Sequence, residues 1–114
     1  MGLKVYIAGP YTHGDPAANV SAAMEMFHIL ADGGHFPHCP HLSHFLHIQQ
    51  PRDYEFWMRQ DFAWLDACDV VVRLLGKSPG ADHEVERAKS QGIPVLPLDS
   101  LQASGVLTQL TFLE

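Results

Sequence analysis

Two carboxylates in this sequence stand out by where they fall. Tyr54, Met58, Leu65 and Cys68 mark an apolar stripe at offsets of 0, 4, 11 and 14, and Asp61 takes the missing offset of 7. On a helix, Asp61 must face whatever that stripe packs against. A carboxylate there is costly unless paired or hydrogen-bonded, and such groups concentrate at functional sites. A salt bridge to Arg73, or a hydrogen bond to the first loop, would also satisfy it. Glu84 closes the run Ser78-Pro79-Gly80-Ala81-Asp82-His83-Glu84, in the first turn of a helix whose packed side is expected to carry Val85, Ala88 and Lys89. Acidic residues in a first turn commonly do no more than complement the helix dipole, the plain reading of Asp82, Glu84 and Glu86. Glu84 stands three and four residues from Ala81 and Ala88, so it borders the packed side and could act as nucleophile or general base. Gly9-Pro10-Tyr11 adds a backbone that a ligand can approach and a phenol, which could equally be a packed loop aromatic.

Other chemistry is excluded by spacing. Gly76-Lys77-Ser78 looks like the end of a triphosphate-binding loop, but Val71 stands where that motif requires glycine. No GxGxxG follows the first strand, so neither triphosphate hydrolysis nor a dinucleotide is supported, and no cofactor is expected. His35, His38, His41, His44 and His47 recur every third residue, which invites a metal site. An α-helix has about 3.6 residues per turn, so a three-residue step slips about 60° and five such side chains cannot share a face. Pro37 and Pro40 also forbid one helix across them, the run holds no carboxylate, and Cys39 is its one thiol. No metal ligand is assigned.

The elements that must position these residues alternate. Lys4 to Ala8 reads as a buried strand closed by Gly9-Pro10. Asp15 caps a helix with Pro16 at its first position and Val20, Met24, Phe27 and Ala31 on one face, ending at Gly33-Gly34. His35 to Cys39 is an irregular edge strand, and a second helix runs from about Arg52 to Cys68. Asp69 to Leu75 is a strand covered on both faces, Gly76 to Gly80 a loop, Ala81 to Gln91 a third helix stopped by Gly92, and Ile93 to Leu98 a last strand. The tail from Asp99 to Glu114 fits helix or strand equally. The order βαβαβαβ predicts an α/β fold: a doubly wound, Rossmann- or flavodoxin-like, mostly parallel sheet of four or five strands flanked by helices. Ligands of such sheets sit beyond the carboxyl ends of the strands, where Gly9 to Asp15, the segment after His38, and Gly76 to Glu84 converge.

With 114 residues the chain affords one core, and a single domain over 1–114 is expected. A net charge of −6 argues against a nucleic-acid polymer or an anionic membrane as partner. Cys39 and Cys68 without CxxC spacing, and an N-terminus lacking the regions of a signal peptide, point to a cytoplasmic protein. Eight histidines, concentrated after Gly34, read as polar lining and pH sensitivity near the site.

Three stretches together resemble the nucleoside 2-deoxyribosyltransferase family, whose superfamily includes the deoxynucleoside 5′-monophosphate N-hydrolases: Val5 to Tyr11, Arg59 to Val72, and Ser78 to Ala88. The resemblance covers about positions 4 to 98 and rests on the order and spacing of short motifs. It implies that Glu84 is the nucleophile attacking the anomeric carbon. It implies that Asp61 lies by the nucleobase and assists its departure, and that Tyr11 contacts the region of nucleophile and sugar. Gly9, Pro10, Thr12, Gly80 and Asp82 would complete the substrate pocket, with His41 and His44 on the base side. Ser78 matches the monophosphate hydrolases, where the free-nucleoside transferases carry Asp; a hydroxyl can donate to a phosphate that a carboxylate would repel. The first loop lacks the arginine those hydrolases use, for which His13 or Lys77 could substitute. The family further implies a small-molecule nucleoside or nucleotide substrate and a homodimer or higher oligomer. A histidine-rich metal-binding module and a catalytically silent nucleotide-binding module are the competing readings.

Overall fold

The computed structural model describes residues 2–98 and 103–114. Four strands, β1 (Lys4–Ala8), β2 (Phe36–His38), β3 (Val70–Arg73) and β4 (Val95–Pro97), form one all-parallel sheet in the order β2-β1-β3-β4. The predicted α/β class is correct, with four strands. The helices are α1 (Pro16–Asp32), α2 (Ser43–Gln49), α3 (Tyr54–Leu65), α4 (Pro79–Ser90) and α5 (Ala103–Thr111), with a single 3-10 turn at Pro40–Leu42.

The pleat of the two central strands sorts the core. Val5 and Ile7 of β1 and Val70 and Val72 of β3 face Ala23, Met26 and Leu30 of α1 and Val106 and Leu110 of α5. Tyr6, Ala8 and Val71 face the other way, toward Leu65 at the end of α3 and Ala81 and Ala88 of α4. Both faces are covered, which is why Val70, Val71 and Val72 can follow one another with no exposure.

Asp15 caps α1 by accepting from Ala17 N at 3.0 Å, with Pro16 at the first turn. Its buried face is Val20, Ala23, Met26 and Leu30, not the expected Val20, Met24, Phe27 and Ala31; Met24 is exposed and Phe27 only partly buried. Alanine and methionine surround this helix, so more than one apolar stripe is available and the sheet selects among them. The second predicted helix starts later, at Tyr54, because Asp53 caps it through Phe56 N at 2.7 Å. The tail, legible either way from sequence, contains helix α5; its residues 99–102 lie outside the described ones.

The chain leaves β1 toward β2 on one side and returns to β3 on the other, so the strand order reverses between β1 and β3, opening a crevice at their carboxyl ends. The loops after these strands press together there. Gly76 adopts φ +117°, and a Cβ on it would lie 2.7 Å from Pro10. A Cβ on Gly9 would lie 2.9 Å from the side chain of Leu74. Small residues thus hold the mouth of the crevice in shape.

Candidate active site

Glu84 belongs to the buried face of α4, with Ala81 and Ala88, and is 5% exposed. That face replaces the expected one of Val85, Ala88 and Lys89: Val85 is only partly buried and Lys89 is exposed. Ser78 sets the helix by accepting from Ala81 N at 3.0 Å, which begins α4 early enough to turn Glu84 inward. Two partners meet it. Tyr6, entirely buried on β1, donates its hydroxyl to Glu84 Oε2. Asp61, half-buried on α3, lies close enough for its charge to act on Glu84.

The electrostatics follow from burial. Desolvation pushes Asp61 up to about 7. Desolvation, with the adjacent Asp61 charge adding to it, pushes Glu84 up to about 8. The two carboxyls titrate as a pair that holds one proton between them near neutral pH. Tyr6 favours the ionised form of Glu84 by donating to it, and its own ionisation is suppressed by burial and by the neighbouring carboxylate charge. The hydroxyl therefore stays a donor.

Glu84 and Asp61 line a cleft of about 560 Å³ beyond the ends of β1 and β3, with Tyr6 buried behind them. Gly9, Tyr11, Thr12, His41, Asp61, Ser78, Gly80 and Glu84 all line it. Three expected residues do not. Asp82 is an exposed partner of Arg73 Nη2 at 3.1 Å, turned to solvent by the helical rotation that brings Glu84 in. Pro10 is buried beneath the loop, where its carbonyl takes up His41 Nε2 at 3.0 Å. His44 stands one step behind the wall, its Nδ1 2.5 Å from the hydroxyl of Tyr11. Of the two residues proposed to replace a loop arginine, His13 lines the cleft and Lys77 does not.

The stripe that singled out Asp61 holds from Met58 onward. Tyr54 is 57% exposed because the first turn of α3 overhangs the cleft rather than the sheet. Cys68 lies beyond the helix end yet still packs against the core around Leu65. The Asp61 carboxylate turns to Glu84, while Arg73 is taken up by Asp82 and by the carbonyls of Leu74 and Gly76.

The histidine run is dispersed. His35 Nδ1 accepts from Leu3 N, His38 stacks on Trp64 at 5.3 Å, His41 serves Gly9 and Pro10, His44 serves Tyr11, and His47 Nδ1 accepts from Trp57 Nε1 at 2.9 Å. Among the described residues no group of three or more His, Cys, Asp and Glu is placed to hold a metal ion. Of the five, only His41 and His47 line the cleft, so the expected polar lining is narrower than the count of histidines. Sequence reasoning missed Tyr6, Arg52 and Trp57, and marked His47 only as one of the histidine run. Tyr6 carried a signal: a phenol in the buried apolar strand Lys4–Ala8 must find a polar partner.

Two solved structures share the fold. One, a 2-deoxyribosyltransferase from the psychrotolerant bacterium Bacillus psychrosaccharolyticus, is 22% identical with a TM-score of 0.58, the match covering 82% of this chain and 70% of that one. The other, a conserved protein from Enterococcus faecalis V583, is 21% identical with a TM-score of 0.60, covering 100% of this chain and 76% of that one. At such identities the likeness is one of fold. No curated protein matches by sequence. Residues 3–97 match a sequence family across most of the chain, and the protein therefore belongs to the family described as domain of unknown function DUF7768.

Proposed function

We propose that this protein cleaves the N-glycosidic bond of (deoxy)nucleoside 5′-monophosphates by retaining double displacement, with Glu84 as nucleophile. The observation that carries the reading is the adjacent Glu84–Asp61 pair lining an open cleft, with Glu84 held from behind by the buried hydroxyl of Tyr6. A buried and a half-buried carboxyl sharing one proton are expensive to maintain, and the pair can supply one ionised and one protonated carboxyl once the proton resting on Glu84 passes to Asp61. A Glu84 oxygen bonds to C1′ as the C1′–N bond breaks; its electron pair passes to the base, which takes a proton from Asp61. Water then bonds to C1′, returns a proton to Asp61 and releases the Glu84 carboxylate. Tyr6 holds Glu84 in place and supports its charge in the free enzyme.

Ser78 favours the monophosphate. Its oxygen accepts from Ala81 N, which leaves the hydroxyl proton to donate at the amino-terminal end of α4, where an anion is welcome. The second reading, base exchange on free nucleosides, is favoured by the fold shared with a 2-deoxyribosyltransferase. Exposed Phe36, Phe45, Leu46, Ile48 and Trp64 support a homodimer or larger assembly of this single domain. No described helix is long and apolar enough to cross a membrane.

Incubation with nucleosides and 5′-monophosphates, with chromatography for free base, tests the reading. Release by the wild type and its loss in Glu84→Ala is the expected result. Absence of release from every substrate overturns the activity, and undiminished release by Glu84→Ala overturns the nucleophile. A second base added in excess separates the readings, since a transferase converts it to a new nucleoside and a hydrolase does not.

A further inference from the structure

His47 and Arg52 occupy one part of the cleft wall, and neither is used by the chemistry above. The hydrogen bonds of His47 decide its tautomer. Its Nδ1 accepts from Trp57 Nε1 at 2.9 Å and from the backbone N–H of Arg52 at 3.2 Å. Both are obligate donors, so Nδ1 presents a lone pair and the ring proton resides on Nε2. Nε2–H has no hydrogen-bond partner among the described residues. His41 has the opposite arrangement: its Nε2 serves the carbonyls of Gly9 and Pro10, and its Nδ1 is left as a buried acceptor. Of His41 and His47, it is His47 that offers a donor to the cleft.

Arg52 reinforces it. Its guanidinium lies 4.4 Å from the centre of the Phe56 ring, and no described carboxylate pairs with it. A guanidinium is a donor at every polar atom. Trp57, whose indole N–H donates to His47, lines the same cleft. A flat aromatic surface beside a rim of donors suits a planar heterocycle edged with acceptors, whereas the end of the cleft at Ser78 and α4 suits a small anion.

We propose that His47 and Arg52 form a donor-only rim that selects bases carrying ring carbonyls, the 2,4-dioxopyrimidines and 6-oxopurines, over their amino counterparts. This rests on the nucleoside-cleaving reading for its substrate class. An exocyclic amino group would meet N–H donors there and leave polar groups unpaired. Such mismatches typically cost about tenfold to a hundredfold in affinity.

The test uses free bases and needs no turnover. Titrations of the whole chain followed by 15N NMR should show His47 protonated at Nε2, and uracil and hypoxanthine should bind at least about tenfold tighter than cytosine and adenine. Uracil should shift the His47 Nε2 signal. Arg52→Met, which keeps the stem over Phe56 and sits at an exposed position, should reduce the preference severalfold, as should His47→Phe. Equal or tighter binding of the amino bases, binding of no base at all, a His47 protonated at Nδ1, or a response of His47 to inorganic phosphate in place of uracil would each overturn the proposal. Base preference without glycosidic cleavage would sink only the proposed activity. Cleavage without base preference would sink only this inference.

Discussion

Tyr6 is the residue on which the chemistry of Glu84 leans. Without its hydroxyl, the buried carboxylate loses a donor that favours its charge, so Tyr6→Phe should move the acid limb of the pH–activity profile to higher pH. Activity near neutrality should fall about tenfold or more, the usual scale for losing one preorganised donor. In the wild type, activity should peak between about 7 and 8, where the pair holds one proton that rests on Glu84 and must pass to Asp61 before Glu84 attacks; below, both carboxyls are protonated, and above, no proton remains for the leaving base. A profile flat from pH 5 to about 9 would contradict this. The same shifts carry a stability cost. Both carboxyls bind protons more tightly folded than unfolded, so stability should decline as pH rises from the ordinary values of 3.8 and 4.5 through about 7 and 8. Glu84→Gln removes one of these charges, and at pH 8 it should raise stability by about 1–3 kcal/mol while abolishing activity, as denaturant unfolding can measure. Asp61 was legible because an acid interrupted an apolar period. Tyr6 was not singled out, because a tyrosine in a strand is ordinary until its hydroxyl is asked for a partner.

Helix α4 converts a sequence signal into geometry. Ser78 caps it, Pro79 opens it, and the rotation so set puts Glu84 inside and Asp82 outside. Ser78→Asp keeps a capping side chain but places a negative charge beside any bound phosphate, so it should reduce kcat/KM for monophosphates more than for nucleosides. The reverse order would refute the role of Ser78. Ser78→Ala should cost about 1 kcal/mol of stability through the lost cap, seen as a lower denaturation midpoint. Helix α2 escaped the sequence reading for a definite reason. It is 7 residues long, lacks a side-chain cap and has no buried residue, so neither periodicity nor a cap announces it. The wall it supplies, including His47, was invisible for the same reason. Helix α1 was legible in its ends but not its face, since proline and glycine mark termini while an alanine-rich interior leaves the facing side to the sheet.

At the scale of the molecule, the alternation of strands and helices was enough to locate the crevice, because a doubly wound sheet has its reversal at a place dictated by strand order. What alternation cannot convey is which side chains cross that crevice, a matter of helix rotation and of loops such as the one from Pro40 to Asp53. The exposed apolar side chains of β2, α2 and α3 lead us to expect a dimer or larger assembly by light scattering, and a fully active monomer would contradict that expectation. The central claim is that Glu84 becomes covalently attached to the sugar. Incubation with a 2-fluorinated nucleoside 5′-monophosphate, which slows release of such an intermediate, followed by peptide mass spectrometry, addresses it directly. A sugar-phosphate adduct on Glu84 that is absent from Glu84→Gln is the expected result; base release with no adduct, or an adduct on another residue, would overturn Glu84 as the nucleophile.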